Sequence, residues 1–308
     1  MGSRGARAGG RDALIRFGPA GWSYKDWEGP VYPLEKPKGF DALAFVARFF
    51  DTIEVNSTYY RPAPDRMAKS WARRVEPNPR FKFTAKLWKR FTHERAGPWS
   101  QDEVDAVKAG MDPLAETDRL GALLLQFPWS FKNTDESREW LGDVASAFRE
   151  YPRVVEVRHA SWNEPEFYRR LGEEGIGFVN IDQPMFKKSI APSATATSPV
   201  GYVRLHGRNY DDWFREGAGR DARYDYLYSE KELEPWAERI RELARSEKIE
   251  EVYVIANNHA RGQAPANAIV LAHLIRGERA PAPETLLAAY PDLLAGHAAP
   301  ADVQGRLL

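Results

Sequence analysis

Eight short β-forming runs recur along the chain, and stretches with helical spacing of apolar side chains separate most of them. The runs lie at 14–17, 52–56, 81–86, 122–126, 154–158, 177–182, 202–206 and 252–257. Between them, Leu43, Val46, Ala47 and Phe50 share one face of a helix predicted over 40–50, and Met67, Trp71 and Val75 share one over 64–75. Further helices are expected over 101–117, 135–149, 164–171, 231–246, 265–275 and 283–294. The connection after the sixth run breaks the pattern. Its Ala, Pro, Ser and Thr residues over 191–199 have no helical period, so a long loop or a distorted helix is expected there. Strands alternating with helices in this way predict an α/β protein, a single (β/α)8 TIM-type barrel. The barrel is expected over 12–297, between a disordered tail at 1–11 and a C-terminal tail at 298–308.

Strand side chains alternate between two faces. The second run sets Ile53 and Val55 against Glu54 and Asn56, and the fifth sets Val155 and Val157 against Glu156 and Arg158. The seventh sets Val203 and Leu205 against Arg204 and His206, while Thr84 falls with Lys86 and Asn180 with Asp182. The apolar faces need the outer helices, so the polar faces are expected to point into the barrel. Glu54, Lys86, Glu156, Arg158, Asp182, Arg204 and His206 should then share one pocket at the strand C-termini. Barrel interiors are usually filled with branched apolar side chains, and a buried unpaired charge costs several kcal/mol or more. Such a cluster is either a salt-bridge network that neutralises itself or a binding site, and one cluster can be both.

Composition narrows the chemistry. Acidic and basic residues number 44 each, which gives no bulk electrostatic drive toward nucleic acid or membrane. The absence of cysteine removes disulfides, thiolate metal sites and a cysteine nucleophile. No apolar run approaches the ~20 residues of a membrane span. The Gly- and Arg-rich start lacks the apolar core of a signal peptide, so a cytoplasmic protein is expected. The sequence carries no reading of oligomeric state.

Trp22, Trp27, Trp88, Trp99, Trp129, Trp162 and Trp213 follow strands, as do Tyr24, Tyr59 and Tyr60. Aromatic faces at a polar mouth suit sugar rings or unstacked bases; equally, they cover long loops as small satellite cores. The loops after the seventh and eighth strands form the usual phosphate corner of a barrel. Here they hold His206, Gly207 and Arg208, then Asn257, Asn258 and Gly262 ahead of a helix start. The plainer account of these residues is turn chemistry.

Several motifs together resemble one family. Gly18-Pro19-Ala20-Gly21-Trp22-Ser23-Tyr24 and Glu54-Val55-Asn56-Ser57-Thr58-Tyr59-Tyr60 are similar to two signatures of the domain of unknown function 72 family, the YecE-like proteins. Leu125-Gln126-Phe127-Pro128, Glu156-Val157-Arg158-His159 and Arg204-Leu205-His206-Gly207 resemble three more. Asn257-Asn258 with Gly262 and Asn267 resembles the last. Gly-Pro-Ala-Gly stands where the family more often has Gly-Thr-Ser-Gly, which removes two hydroxyls from the mouth. The resemblance implies a TIM-like barrel and no agreed reaction, so function must be argued from the site.

The functional expectation is an enzyme acting by acid/base chemistry, without cofactor or tightly held metal, on a small polar or anionic ligand such as a sugar phosphate or nucleotide. Glu54 and Glu156 are the candidate acid and base, with Lys86 and His206 as further catalytic candidates. Trp22, Tyr24, Asn56, Tyr59, Gln126, Arg158, Asp182, Arg204, Asn257 and Asn258 are the candidate binding residues. One alternative is a metal-dependent hydrolase resembling the apurinic endonuclease barrels, with Glu156, Asp182, His206 and His159 as ligands. Another is a non-catalytic protein that binds nucleic acid or sugar. Nucleic acid is the less favoured partner and membrane is not expected.

Overall fold

The computed structural model of the chain describes residues 13–213, 215 and 222–301; the tail expected over 1–11 lies outside them. Eight parallel strands form one barrel-shaped sheet: β1 (Leu14–Pro19), β2 (Thr52–Val55), β3 (Lys82–Lys86), β4 (Leu120–Gln126), β5 (Arg153–Glu156), β6 (Gly177–Asp182), β7 (Val200–Leu205) and β8 (Glu251–Ala256). β1 pairs with β8, and the order then runs back to β2. The seam between β1 and β2 is drawn together by Gly21 N–H donating to the Glu54 carbonyl at 2.8 Å. Gly18 makes that approach feasible, since a Cβ there would stand 1.8 Å from the Thr52 carbonyl oxygen.

Helices cover the outside between most strands, with Leu43, Trp71, Leu114, Val144, Phe167, Trp236 and Ile269 buried against the sheet. The helix expected over 283–294 is two, Glu284–Ala289 and Pro291–Leu294. Tyr290, at φ −130° and ψ 55°, leaves the helical region just before Pro291, where the proline ring disfavours it. Within the stretch expected as a C-terminal tail, Ala298–Pro300 (β10) pairs in parallel with Ala280–Ala282 (β9), and residues 302–308 lie outside the described ones. Among the described residues, no helix is long and apolar enough to cross a membrane.

No helix follows β6. Its place is taken by an extended segment bonded to the outer face of the sheet. Asn180 accepts from Ser193 Oγ and Thr195 N, each at 2.7 Å, and Thr197 Oγ donates to the Ile176 carbonyl at 2.6 Å. A strand covered by extended backbone needs polar partners on its outer face, because that backbone's own groups must be satisfied. Asn180 supplies them.

Candidate functional site

Register fixes which side chains face inward. Paired residues of parallel strands point the same way, and the pairs Glu54↔Thr84, Gln126↔Glu156, Ile181↔Arg204 and Tyr202↔Tyr253 trace one interior layer after another. Polar side chains enter from β2, β3, β5 and β7 as their alternation predicts. β6 does the opposite: Ile181 shares the interior with Arg204, while Asp182 pairs with Leu205 on the outer face. The expectation that Asp182 joins the interior cluster is therefore corrected. Its carboxylate accepts from Arg208 Nε at 2.8 Å, Arg208 Nη2 at 3.0 Å and Tyr228 Oη at 2.5 Å. There it anchors the loop after β7.

Arg204 is the hub of the interior. Its guanidinium binds Glu54 twice, at 2.8 and 2.5 Å, and Glu156 once at 2.8 Å. Tyr202, a contributor missed in the sequence although it shares the phase of Arg204, donates to Glu54 at 2.9 Å and meets Thr84 at 2.8 Å. Arg158 Nε donates to Glu156 at 2.9 Å, and His206 Nε2 lies 3.1 Å from the same carboxylate oxygen. Glu54, Glu156, Arg204 and His206 are fully buried. Burial pushes the Glu156 carboxyl up, but the charges of Arg204 and Arg158, with the hydrogen bond from His206, outweigh it and hold it well below the usual carboxylate range. Both glutamates are thus placed as counter-charges with their oxygens engaged. That geometry leaves neither as an open acid or base.

His206 is similarly committed. Asn257 Nδ2 stands 3.0 Å from its Nδ1, so an amide donating there fixes the Nε2–H tautomer that reaches Glu156. Burial lowers its pKa to about 3, which keeps the ring neutral at physiological pH. Asn258 faces away from the mouth: its Nδ2 donates to Asn267 Oδ1 at 2.7 Å and to the Tyr226 carbonyl at 2.8 Å, pinning the loop after β7. At the corner after β7 and β8, described side chains pack against one another. The Tyr24 ring stacks on His259 at 4.4 Å, Trp27 Nε1 donates to the His259 carbonyl at 2.7 Å, and Gly262 is packed against Val31 and Pro30.

The other half of the mouth differs. Lys86, at the end of β3, has no hydrogen bond or ion pair from its ammonium to any described residue. Its nitrogen lies 4.6 Å from the centre of the Tyr59 ring, and part of the side chain reaches solvent. Burial, then the nearby Arg204 guanidinium, lowers its pKa to about 7. His93, edge-on to Tyr59 at 5.0 Å, is lowered to about 4 by burial and by the charges of Lys86 and Arg158. Arg158 lies under the Trp213 ring, 5.6 Å from its centre. Gln126, beside Glu156 in register, spends no side-chain hydrogen bond on the described residues. Asn56 donates to Tyr24 Oη at 3.3 Å, and Trp22 stands half-buried at the edge of Trp71, 5.8 Å between ring centres. Among the other strand-end tryptophans, Trp27 and Trp162 are wholly buried and belong to satellite cores.

The donors named for a metal do not converge. Glu156 and His206 touch, but Asp182 is on the outer face, and His159 caps a turn by accepting from Ser161 N at 3.1 Å. Among the described residues, no group of three or more His, Asp or Glu is placed to hold a metal ion.

The family model described as "Protein of unknown function DUF72" matches residues 16–289. The UPF0759 protein YunF of Bacillus subtilis is 27% identical over 267 residues, covering 82% of this chain and 92% of that protein. The UPF0759 protein YecE of Escherichia coli is 25% identical over 199 residues, 65% of each chain. A DUF72 family protein of Thermotoga maritima, known from its crystal structure, superposes with a TM-score of 0.74 at 33% identity, covering 85% of this chain and 99% of that one. Fold, motifs and relatives agree, and the chain belongs to the DUF72 family.

Proposed function

We propose that the barrel mouth binds a small anionic compound and acts on it by acid/base chemistry, with Arg158 as the fixed anchor and Lys86 as the group that moves a proton. One observation carries this reading. Among the described residues, the upper interior holds two carboxylates, Glu54 and Glu156, against three basic side chains, Arg204, Arg158 and Lys86, and the one with no described carboxylate as partner is the lysine at the rim. An excess cation in a poorly solvated site is relieved in two ways: it loses its proton, or an anion joins it. A group whose pKa lies near the working pH serves either state, which is what general acid/base catalysis requires. Gln126 and Asn56 supply uncharged hydrogen-bonding groups beside this pair, and Trp213 and Tyr59 give it apolar walls.

The anion site proposed here lies on the β3–β5 side of the mouth and not at the corner after β7 and β8. Thermal unfolding with inorganic phosphate, sugar phosphates and mononucleotides tests it. A ligand at 100 times its dissociation constant adds roughly 2.7 kcal/mol of stability. Lys86→Met and Arg158→Gln should each abolish most of that gain while the barrel stays folded. Failure of every anion to stabilise the wild type, or an undiminished response in both variants, overturns the reading.

A further inference from the structure

The geometry points to a covalent role for Lys86: we infer that its amine forms an imine with a small carbonyl compound carrying a carboxylate or phosphate group. The inference rests on the anion site proposed above and names the substrate class for it.

Four observations support it. Lys86 sits at the C-terminal end of a barrel strand, where reacting groups of this fold are held. Its nitrogen is bound by no described carboxylate, so its lone pair is not committed to an ion pair once the proton has left. Its side chain leans on the Tyr59 ring, 4.6 Å away, which fixes its direction without consuming a hydrogen bond. A second cation acting on it, Arg158, is held just beyond the end of β5 by Glu156. Lysines become nucleophiles when they are desolvated or set next to another cationic group, and Lys86 has both conditions. The charged groups facing it are Arg204 and Arg158, which disfavour its ammonium, and Glu54 and Glu156, which favour it. Tyr59 and His93 also lie against it. With a pKa of about 7, roughly half the amine is free at neutral pH, against about one part in 10³ for an ordinary lysine.

The step balances within the site. The amine lone pair attacks the carbonyl carbon and a nitrogen proton passes to the oxygen, giving a carbinolamine. Loss of that hydroxyl with the second nitrogen proton releases one water and leaves the C=N bond. No oxidant, reductant or outside acid is consumed. The anionic arm of the substrate would lie on Arg158, which places the carbonyl on the β3 side.

Borohydride trapping tests the inference on the full-length protein. Pyruvate and dihydroxyacetone phosphate are the anionic probes, acetone and hydroxyacetone their neutral counterparts, with intact mass and peptide mapping as the readout. In the wild type we expect one reduced adduct mapping to Lys86, formed at least tenfold faster with the anionic probes. Lys86→Arg and Lys86→Met should each lose it, and unchanged thermal unfolding would show that they remain folded. No adduct at Lys86, or the same adduct pattern in both variants, overturns the inference. Phosphate stabilisation measured on the same protein separates the two proposals. If phosphate stabilises and no adduct forms, the anion site stands and the imine falls. If neutral and anionic probes label Lys86 equally, the amine is a nucleophile but the anionic substrate class falls, and the anion reading with it.

Discussion

Lys82 and Lys86 occupy opposite ends of β3, on the same inward face, about 13 Å apart at ~3.3 Å per residue. Their surroundings are built from the same residue types. At the bottom of the barrel, Glu251 accepts from Tyr253 Oη at 2.5 Å and pairs with Arg16 at 3.0 Å and Lys82 at 3.4 Å. Lys82 also reaches Asp118 at 2.9 Å. Two cations meet two carboxylates and the set closes on itself. At the top, Arg204 and Arg158 take up Glu54 and Glu156, and none of the described carboxylates is left for Lys86. Charge inside a barrel is therefore no sign of function by itself. The informative quantity is the remainder after pairing, and that remainder sits at the end where this fold carries its chemistry.

The hub of the upper network offers the hardest test of this contrast. Glu54→Ala removes both acceptors of a bidentate pair and leaves the Arg204 guanidinium buried with only Glu156 to offset it. Breaking such a pair costs about 3–5 kcal/mol, measurable as a large drop in the urea midpoint. A loss under about 1 kcal/mol would mean that Arg204 reaches water, against its full burial.

The corresponding change at the bottom is Glu251→Gln. Here the expected cost is smaller, about 1–3 kcal/mol. Lys82 keeps Asp118, which is 87% exposed, and Glu251 is itself 26% exposed, so water compensates part of the loss. The stabilisation by phosphate should be unchanged. If Glu251→Gln weakened that response, the two ends would be coupled and the distinction between them would fail.

Stability against pH gives a finer test. The folded state holds the Lys86 pKa at about 7, below the ~10.5 of an unfolded lysine. Between those values the unfolded chain carries the extra proton. Lys86 therefore makes stability rise with pH across that window, by at most about 1.4 kcal/mol per pH unit, and has no effect on the slope below about 7. Lys86→Met should remove that component of the slope, measured as the difference between wild-type and variant denaturation curves from pH 7 to 10. Parallel curves would show that Lys86 titrates as an ordinary surface lysine.

Much of this arrangement was legible in the sequence, and the failures have physical causes. Alternation placed Glu54, Lys86, Glu156, Arg158, Arg204 and His206 on interior-facing positions because helices cover the apolar faces of those strands. It failed at β6 for the same reason: with no helix outside, the covering segment needed polar partners and Asn180 turned outward to meet it, while Asp182, in the same phase, turned outward to Arg208 and Tyr228 of the loop after β7. The missing helix was visible in the Pro/Ser/Thr composition, and that composition was the available signal that the phase of β6 would invert. Pairing was not legible. Alternation gives the face of each side chain, but Arg204 meeting two glutamates from β2 and β5 depends on register across the barrel. So does the saturation of His206 by Glu156 and Asn257, which removed the histidine as a proton shuttle.

The smallest expected effect isolates the comparison best. Lys82→Met is the same substitution as Lys86→Met, on the same strand and face, at the paired end. It removes an ion pair to the exposed Asp118 and one contact with Glu251, a loss of about 0–1 kcal/mol. It should leave the phosphate response and any adduct at Lys86 untouched, because both depend on the cation above, which no described carboxylate pairs. Measured beside Lys86→Met, it controls for the general effect of removing one positive charge from this neutral chain. If both variants weakened the phosphate response equally, net charge would explain the binding, and the remainder of charge at the mouth would lose its meaning. If Lys86→Met alone abolishes it, four residues of one strand separate a lysine that closes the fold from one that is open to a ligand.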